Sequence, residues 1–244
     1  MKKNLTILSI IIITLVSLNV KAQDAVEPVK SYLTLLGGAS IPLGKFRSTN
    51  YYDNSAGFGK TGVMFGLDGV DYFYKNLGFG ATLTFQDQGE LSGTDVITLA
   101  NGYNASFVKD ITTGTAVDRY MNINFLAGPQ YSFVYHKFIL DLRAEAGVIK
   151  SISTPSLAIS FDYSTNTDLT MTQLSSSALS FAYGGSVGLR WSFSDNWDLG
   201  LKGNFVTSSG PKIEYNNDPG TTGRFVTKQP INEVQTSLGI TLRF

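Results

Sequence analysis

The sequence predicts an all-β fold, an eight-stranded antiparallel up-and-down transmembrane β-barrel. Three observations predict it. Eight segments alternate apolar residues with small or polar ones at a period of two, the signature of strands with one greasy face. Short turns and long polar loops separate these segments in strict succession. Only 16% of the 244 residues are charged and 12% are aromatic, whereas charged residues make up about 25% of a typical soluble domain.

The last eleven residues, 234–244, show the pattern most plainly. Val234, Thr236, Leu238, Ile240, Leu242 and Phe244 share one face; Gln235, Ser237, Gly239, Thr241 and Arg243 share the other. From the start of the barrel, strand one covers about 32–40, with Leu33, Leu35 and Leu36 competing for the apolar face. Strand two begins near Thr61 and places Val63, Phe65 and Leu67 opposite Met64, Gly66 and Asp68. Its alternation slips at 69–71, where a bulge is expected to bring Tyr72 and Tyr74 onto the apolar face. Strand three sets Leu77, Phe79, Ala81, Leu83 and Phe85 against Gly78, Gly80, Thr82, Thr84 and Gln86.

Strand four is the longest match, from Met121 to Tyr135 at every second residue. Pro129 interrupts it and predicts a local bulge, because proline donates nothing to the ladder. Strand five sets Phe138, Leu140 and Leu142 against Asp141, Arg143 and Glu145. Strand six runs from Leu179 to Phe193, with Ser186 and Arg190 on its small face. Strand seven places Trp197, Leu199, Leu201 and Phe205 opposite Asp198, Lys202 and Asn204. Turns are expected at 75–76, 136–137 and 194–196. Long loops are expected at 41–60, 87–118, 151–178 and 208–230, with Val96, Ile97 and 106–108 as β-prone pieces that extend flanking strands.

Eight alternating strands fit two barrels, a carrier of the lipocalin type with an apolar interior and a membrane barrel with the reverse. Residue size decides between them. Trp, Phe, Tyr and Leu dominate one face, while Gly, Ser, Ala and Thr dominate the other and suit a narrow lumen. The ionisable residues on that small face are few and of both signs: Asp68, Asp141, Arg143, Glu145, Arg190, Asp198, Lys202, Glu233 and Arg243. Enclosed charges require partners, so these nine are expected to form a lumen charge network. The membrane barrel is the reading retained.

Met1, Lys2 and Lys3 precede an apolar run from Leu5 to Leu18, and small Ala22 precedes Gln23. This reads as a secretory signal peptide over 1–22, too short for a comfortable membrane span of about 20 residues. Removing it takes Lys2, Lys3 and Lys21, leaving 16 basic and 19 acidic residues, a net charge of −3. Residues 23–30 are expected to be a periplasmic tether and 31–244 the barrel domain, with both termini periplasmic. No basic excess points to nucleic acid. The lack of cysteine excludes disulfides and thiol chemistry, and one histidine with no cysteine argues against a transition-metal site.

Several motifs carry a family likeness: the VKAQ processing site, the segment from Ser40 through Pro42 and Gly44 to Phe46, Lys75-Asn76-Leu77-Gly78-Phe79-Gly80, Gly128-Pro129-Gln130-Tyr131, and the terminal Phe244. On these the chain resembles the small outer-membrane β-barrel proteins of Gram-negative bacteria, in particular the PorT-like group. The resemblance implies an outer-membrane location amid lipids and lipopolysaccharide. It also implies that Phe244 is the signal read by the barrel-assembly machinery. It brings no catalytic residues and no cofactor.

Two motifs imitate catalytic chemistry. Gly57, Gly59 and Gly62 fit a dinucleotide fingerprint, but a strand follows where a helix is required. A P-loop ending at Gly59-Lys60-Thr61 would need its first glycine at Asn54. Ser186 fits G-x-S-x-G yet sits mid-strand rather than on a strand-to-helix turn. His136 lies at a short turn, the wrong end for pairing with a serine near the outer leaflet. The expectation is therefore a non-enzymatic barrel with a side-chain-plugged lumen, acting structurally or through its extracellular loops. The alternatives are a narrow porin-like channel or small-molecule uptake barrel, then a lipid A-modifying enzyme or a soluble lipocalin-like carrier.

Overall fold

The computed structural model describes residues 29–53, 55–107, 111–162, 169–213, 215–216 and 228–244. The expected signal peptide and most of the tether lie outside them. In chain order the elements are β1 (Tyr32–Pro42), α1 (Gly44–Arg47), β2 (Gly62–Tyr74), β3 (Leu77–Glu90), α2 (Gly93–Phe107) and β4 (Ile111–Val117). Then follow β5 (Arg119–Tyr135), β6 (Phe138–Ser153), β7 (Ser156–Asp162), β8 (Leu169–Gln173), β9 (Leu179–Ser192), β10 (Trp197–Ser208), β11 (Tyr215–Asn216) and β12 (Ile231–Arg243).

Eight of these strands close into a barrel in the order β1-β12-β10-β9-β6-β5-β3-β2, each antiparallel to its neighbours. The seam between first and last strands is unbroken, from Tyr32 opposite Arg243 to Pro42 opposite Glu233. That register resolves strand one: Leu33 and Leu35 face outward with Leu242 and Ile240 opposite them, and Leu36 is buried inside. Closure leaves no sheet edge in the barrel wall.

The exterior is apolar along every strand. Leu35, Phe65, Phe79, Phe125, Phe181, Leu201 and Leu238 are among the large side chains exposed on it. The aromatic Phe65 and Phe85 meet as a cross-strand pair with ring centroids 5.0 Å apart. Around the short turns stand Tyr131, Phe133, Tyr135, Phe138, Trp191, Phe193 and Trp197, all exposed. Lys75 and His136 take positive φ in two of those turns, at +46° and +53°. Phe244 is exposed at the same end and its backbone N–H donates to the Ser31 carbonyl at 3.0 Å.

Two expected bulges lie elsewhere. In β2 the register shifts between Tyr72 and Tyr74, not at 69–71. Tyr72 therefore stays on the lumen face and donates or accepts at Ser132 Oγ, 2.6 Å away, while Tyr74 is exposed. Pro129 sits in register: the offset between β5 and β6 is the same at Ala127–Ala146 and at Gln130–Arg143, and the shift falls at Met121/Asn122 instead. The missing donor is absorbed without an inserted residue.

Glycines allow the wall to curl. A Cβ on Gly184 would lie 1.9 Å from the Phe205 carbonyl oxygen, and one on Gly128 2.0 Å from that of Ala144. At these points the neighbouring strands are too close for any side chain, as tight bends in small barrels require.

The long loops are more ordered than their polarity suggests. The pairing of β5 with β6 continues beyond the barrel as β4 with β7, and β8 and β11 extend this into a four-stranded sheet ordered β11-β8-β7-β4. The break between the two sheets falls at Asp118, whose φ is +64°, and at Thr154-Pro155. Val96 and Ile97, expected to extend strands, lie in α2, as do Ser106 and Phe107; Val108 is outside the described residues. Ala56, Phe58, Leu99, Leu157 and Ile159 form a small apolar core between loop, helix and sheet. Together they make a cap over the long-loop end.

Candidate functional site

The lumen gathers most of the ionisable residues that the small face predicted, and it sorts them into layers. Nearest the short turns is Arg190 of β9. Its Nε donates to Asp141 Oδ2 at 2.6 Å, its Nη2 to Asp141 Oδ1 at 3.2 Å and its Nη1 to Asp198 Oδ2 at 2.9 Å. The Tyr32 ring lies under the guanidinium, 4.0 Å from Cζ to centroid. Ser132 Oγ donates to Asp141 at 2.5 Å. Arg243 closes the rim: its Nε lies 3.0 Å from Asp198 Oδ1, an ion pair without hydrogen-bond alignment, and its Nη2 donates to the Ser194 carbonyl at 2.6 Å.

The next layer centres on Asp68 of β2. Arg143 grips both its oxygens, Nη1 to Oδ1 at 2.8 Å and Nη2 to Oδ2 at 3.2 Å. Lys202 Nζ donates to the same Oδ1 at 2.6 Å, and Thr82 Oγ1 adds a third short bond at 2.6 Å. Gln130 Oε1 accepts from Arg143 Nε and Nη2 at 3.0 and 2.8 Å, while its Nε2 donates to Tyr72 Oη at 2.9 Å and so ties this layer to the one below. Gly80 makes room for the guanidinium, since a Cβ there would lie 2.5 Å from Arg143 Cζ. Two-pronged arginine–carboxylate contacts of this kind are directional and strong. Glu145 stands 4.0 Å from Arg143 Nη1, and neither of its carboxylate oxygens receives a hydrogen bond.

Glu233 departs from the expected network. It is fully buried in the lumen, but among the described residues no ion pair reaches it. Neutral donors hold it: Gln86 Nε2 at 2.8 Å, Gln235 Nε2 at 2.8 Å and Asn124 Nδ2 at 3.1 Å on Oε1, with Ser40 Oγ at 3.0 Å and Gln88 Nε2 at 3.1 Å on Oε2. Gln86, Asn124 and Gln235 are inward residues of the alternation, whereas Gln88 falls in the expected loop 87–118 and comes inward because β3 continues to Glu90; their convergence on one carboxylate depends on strand register across the lumen. Register could not be read within a single strand.

At the long-loop end the lumen turns apolar. Phe46 of α1 is fully buried, with Leu126, Ile149, Ala182, Val206 and Ile231 in the same cluster. It meets Tyr120 edge-on at 5.1 Å and 86°. The Tyr120 hydroxyl donates to the Gly57 carbonyl at 2.8 Å. Gly57 and Gly59, two of the three glycines of the false dinucleotide motif, lie over Phe46: a Cβ on Gly57 would come within 2.7 Å, and one on Gly59 within 2.9 Å, of the Phe46 carbonyl oxygen. Their requirement is thus steric. Ser186 is buried in the lumen opposite Arg143, seven residues along β6 from His136, a strand distance of about 23 Å.

Little space remains. A void lined by Tyr32, Leu36, Asp68, Arg190, Lys202 and Gly239 gives a water's centre about 20 Å³, which is room for one molecule. Among the described residues no group of three or more His, Cys, Asp or Glu is placed to hold a metal. As an arrangement, two crosslinked charge layers, an amide layer and an apolar layer stack from one mouth to the other.

No family model matches the chain, and no curated protein does. Solved structures similar to it include Neisserial surface protein A, with 12% identity, 88% of this chain and 97% of that one covered, and a TM-score of 0.46. Ail, the attachment invasion locus protein of Yersinia pestis, shows 12% identity, 89% and 100% coverage and a TM-score of 0.42. A major outer membrane protein from Thermus thermophilus shows 14% identity, 88% and 99% coverage and a TM-score of 0.40.

Proposed function

We propose that the chain is an integral outer-membrane barrel of the small PorT-like kind, closed to solutes, that acts structurally or by interaction through its capped long-loop end. The observation that carries this reading is the filled lumen: Arg143, Asp68, Lys202, Arg190, Asp141 and Asp198 cross it in bonded layers, and Phe46 seals the far mouth. The apolar exterior supports a lipid setting, because a sheet with Phe and Leu outward has no other partner for that surface. Outer-membrane lipid and lipopolysaccharide would cover it. The short turns, both chain termini and the exposed Phe244 face the periplasm in this reading, with Phe244 recognised by the assembly machinery. No catalysis is proposed, given the separation of Ser186 from His136.

Planar-bilayer recording tests the closure. The purified barrel should give no steady conductance at moderate voltage; stable ohmic channels in the wild type would overturn the plug. Recovery of the protein from the soluble periplasm without detergent would overturn the membrane setting.

A further inference from the structure

Among the described residues the lumen charges do not balance. Asp68, Asp141, Glu145 and Asp198 are matched one for one by Arg143, Arg190, Lys202 and Arg243, and all eight belong to the two linked charge layers. Glu233 is the surplus. It is fully buried, it sits in the amide layer, and its five hydrogen bonds all come from groups without charge. Neutral donors solvate a carboxylate but leave its charge in place, and an uncompensated charge away from water is costly.

The same amides carry a second feature. Gln86 Oε1, Gln88 Oε1 and Asn124 Oδ1 are buried and have no hydrogen-bond partner. A carboxamide rotated by half a turn exchanges its N and O at nearly the same positions. Rotation of these three side chains turns their oxygens toward the carboxylate, leaves their NH2 groups where the oxygens stood, and gives up the Gln88 Nε2 donation to Ser40 Oγ. Alone, that arrangement is repulsive. Around a cation it is an all-oxygen cage, the donor set that hard cations take in place of their hydration shell.

We propose that Glu233, with the side-chain oxygens of Gln86, Gln88 and Asn124, binds one dehydrated monovalent cation, Na⁺ or K⁺, inside the barrel. A single positive charge brings the lumen to neutrality; a divalent ion would reverse the imbalance. Gln235 and Ser40 continue to donate to the carboxylate and hold it in place. The apolar layer of Phe46, Val206 and Ile231 keeps bulk water from competing for the ion.

Thermal melts of the purified barrel in detergent test this, with choline chloride replaced stepwise by NaCl, KCl or CaCl2 at constant ionic strength. Wild type should show a saturable rise in Tm in Na⁺ or K⁺, roughly 5 °C once the cation exceeds its dissociation constant about 100-fold. Glu233→Gln should melt alike in all four salts. Gln86→Leu, which keeps the carboxylate and removes one ligand oxygen, should move the midpoint of the rise to at least about ten-fold higher concentration. A flat wild type, an equal rise in Glu233→Gln, a response to Ca²⁺ alone, or an unmoved midpoint in Gln86→Leu would overturn the proposal. Conductance plays no part in these readouts, so the closed-lumen reading stands or falls separately.

Discussion

Arg143 and Asp68 meet in a two-pronged contact, 2.8 and 3.2 Å, across three steps of the barrel wall from β6 to β2. The contact fixes more than a pair. Asp68 also carries Lys202, and Arg143 is the nearest cation to Glu145. Arg143→Ala leaves two buried carboxylates to one ammonium. It should destabilise the barrel by about 3–5 kcal/mol, the usual cost of breaking a buried pair from one side. Arg143→Met combined with Asp68→Leu leaves Lys202 and Glu145 as one matched pair, so the double variant should recover most of the loss. Urea midpoints of the detergent-solubilised variants check both.

Phe46 closes the lumen at the opposite end by a different means. Its ring is held by Tyr120 and backed by Gly57 and Gly59. Phe46→Ala should cost about 3–5 kcal/mol, as truncation of a buried Phe does. It should not open a pore, because the charge layers below are independent of it. Combined with Arg143→Ala and Arg190→Ala, which break both charge layers, it should give measurable conductance in planar bilayers. Current through Phe46→Ala alone would show that the charge layers do not seal.

The barrel was legible in the sequence because the period-two pattern is local and strong. Every strand from residue 77 to 86 and from 121 to 135 keeps its faces in the structure. Pro129 and the slip at 69–71 misled because a bulge is one solution among several: the wall absorbs Pro129 in register, and β2 places its extra residue at Phe73. The lumen charges were legible as a set, since inward residues are known once the faces are. Their pairing was not, and Glu233 ended among amides instead of cations. The cap was the least legible part. The α2 segment contains Asn101, Gly102 and several β-branched residues, poor helix formers that read as loop. Its start did carry a signal in Ser92-Gly93-Thr94-Asp95, a capping-box spacing with Asp at the third position.

That start supplies a pH-dependent prediction. Asp95 Oδ2 accepts from the Ser92 backbone N–H at 2.7 Å and from Ser92 Oγ at 2.6 Å, and Lys60 Nζ lies 2.9 Å away. Burial works against the ionised form, but the Ser92 hydrogen bonds and Lys60 outweigh it and hold the carboxyl below its ordinary value. A depressed value in the folded state means that the contact stabilises α2 above the unfolded value, about pH 3.9, and is lost as pH falls through the folded value. The Ser92 amide resonance should therefore titrate with a midpoint below about 3.9. In Asp95→Asn that transition should vanish.

The wall itself makes the last prediction. At Gly184 a Cβ would sit 1.9 Å from the Phe205 carbonyl oxygen, a backbone atom that cannot step aside without parting β9 from β10. At Gly37, on the outer face of β1, a Cβ meets nothing within 4 Å. Both positions are glycine, both lie in paired strands, and side-chain propensity alone treats Gly→Ala in them alike. Steric contact separates them. Gly184→Ala should cost about 3 kcal/mol or more through overpacking, while Gly37→Ala should be neutral or slightly stabilising by reducing unfolded-chain freedom. The gel mobility of folded and boiled protein reads this directly. A folded band in Gly184→Ala as heat-resistant as in Gly37→Ala would mean that β9 and β10 have the slack to separate there, and that curvature at this point does not depend on the missing side chain.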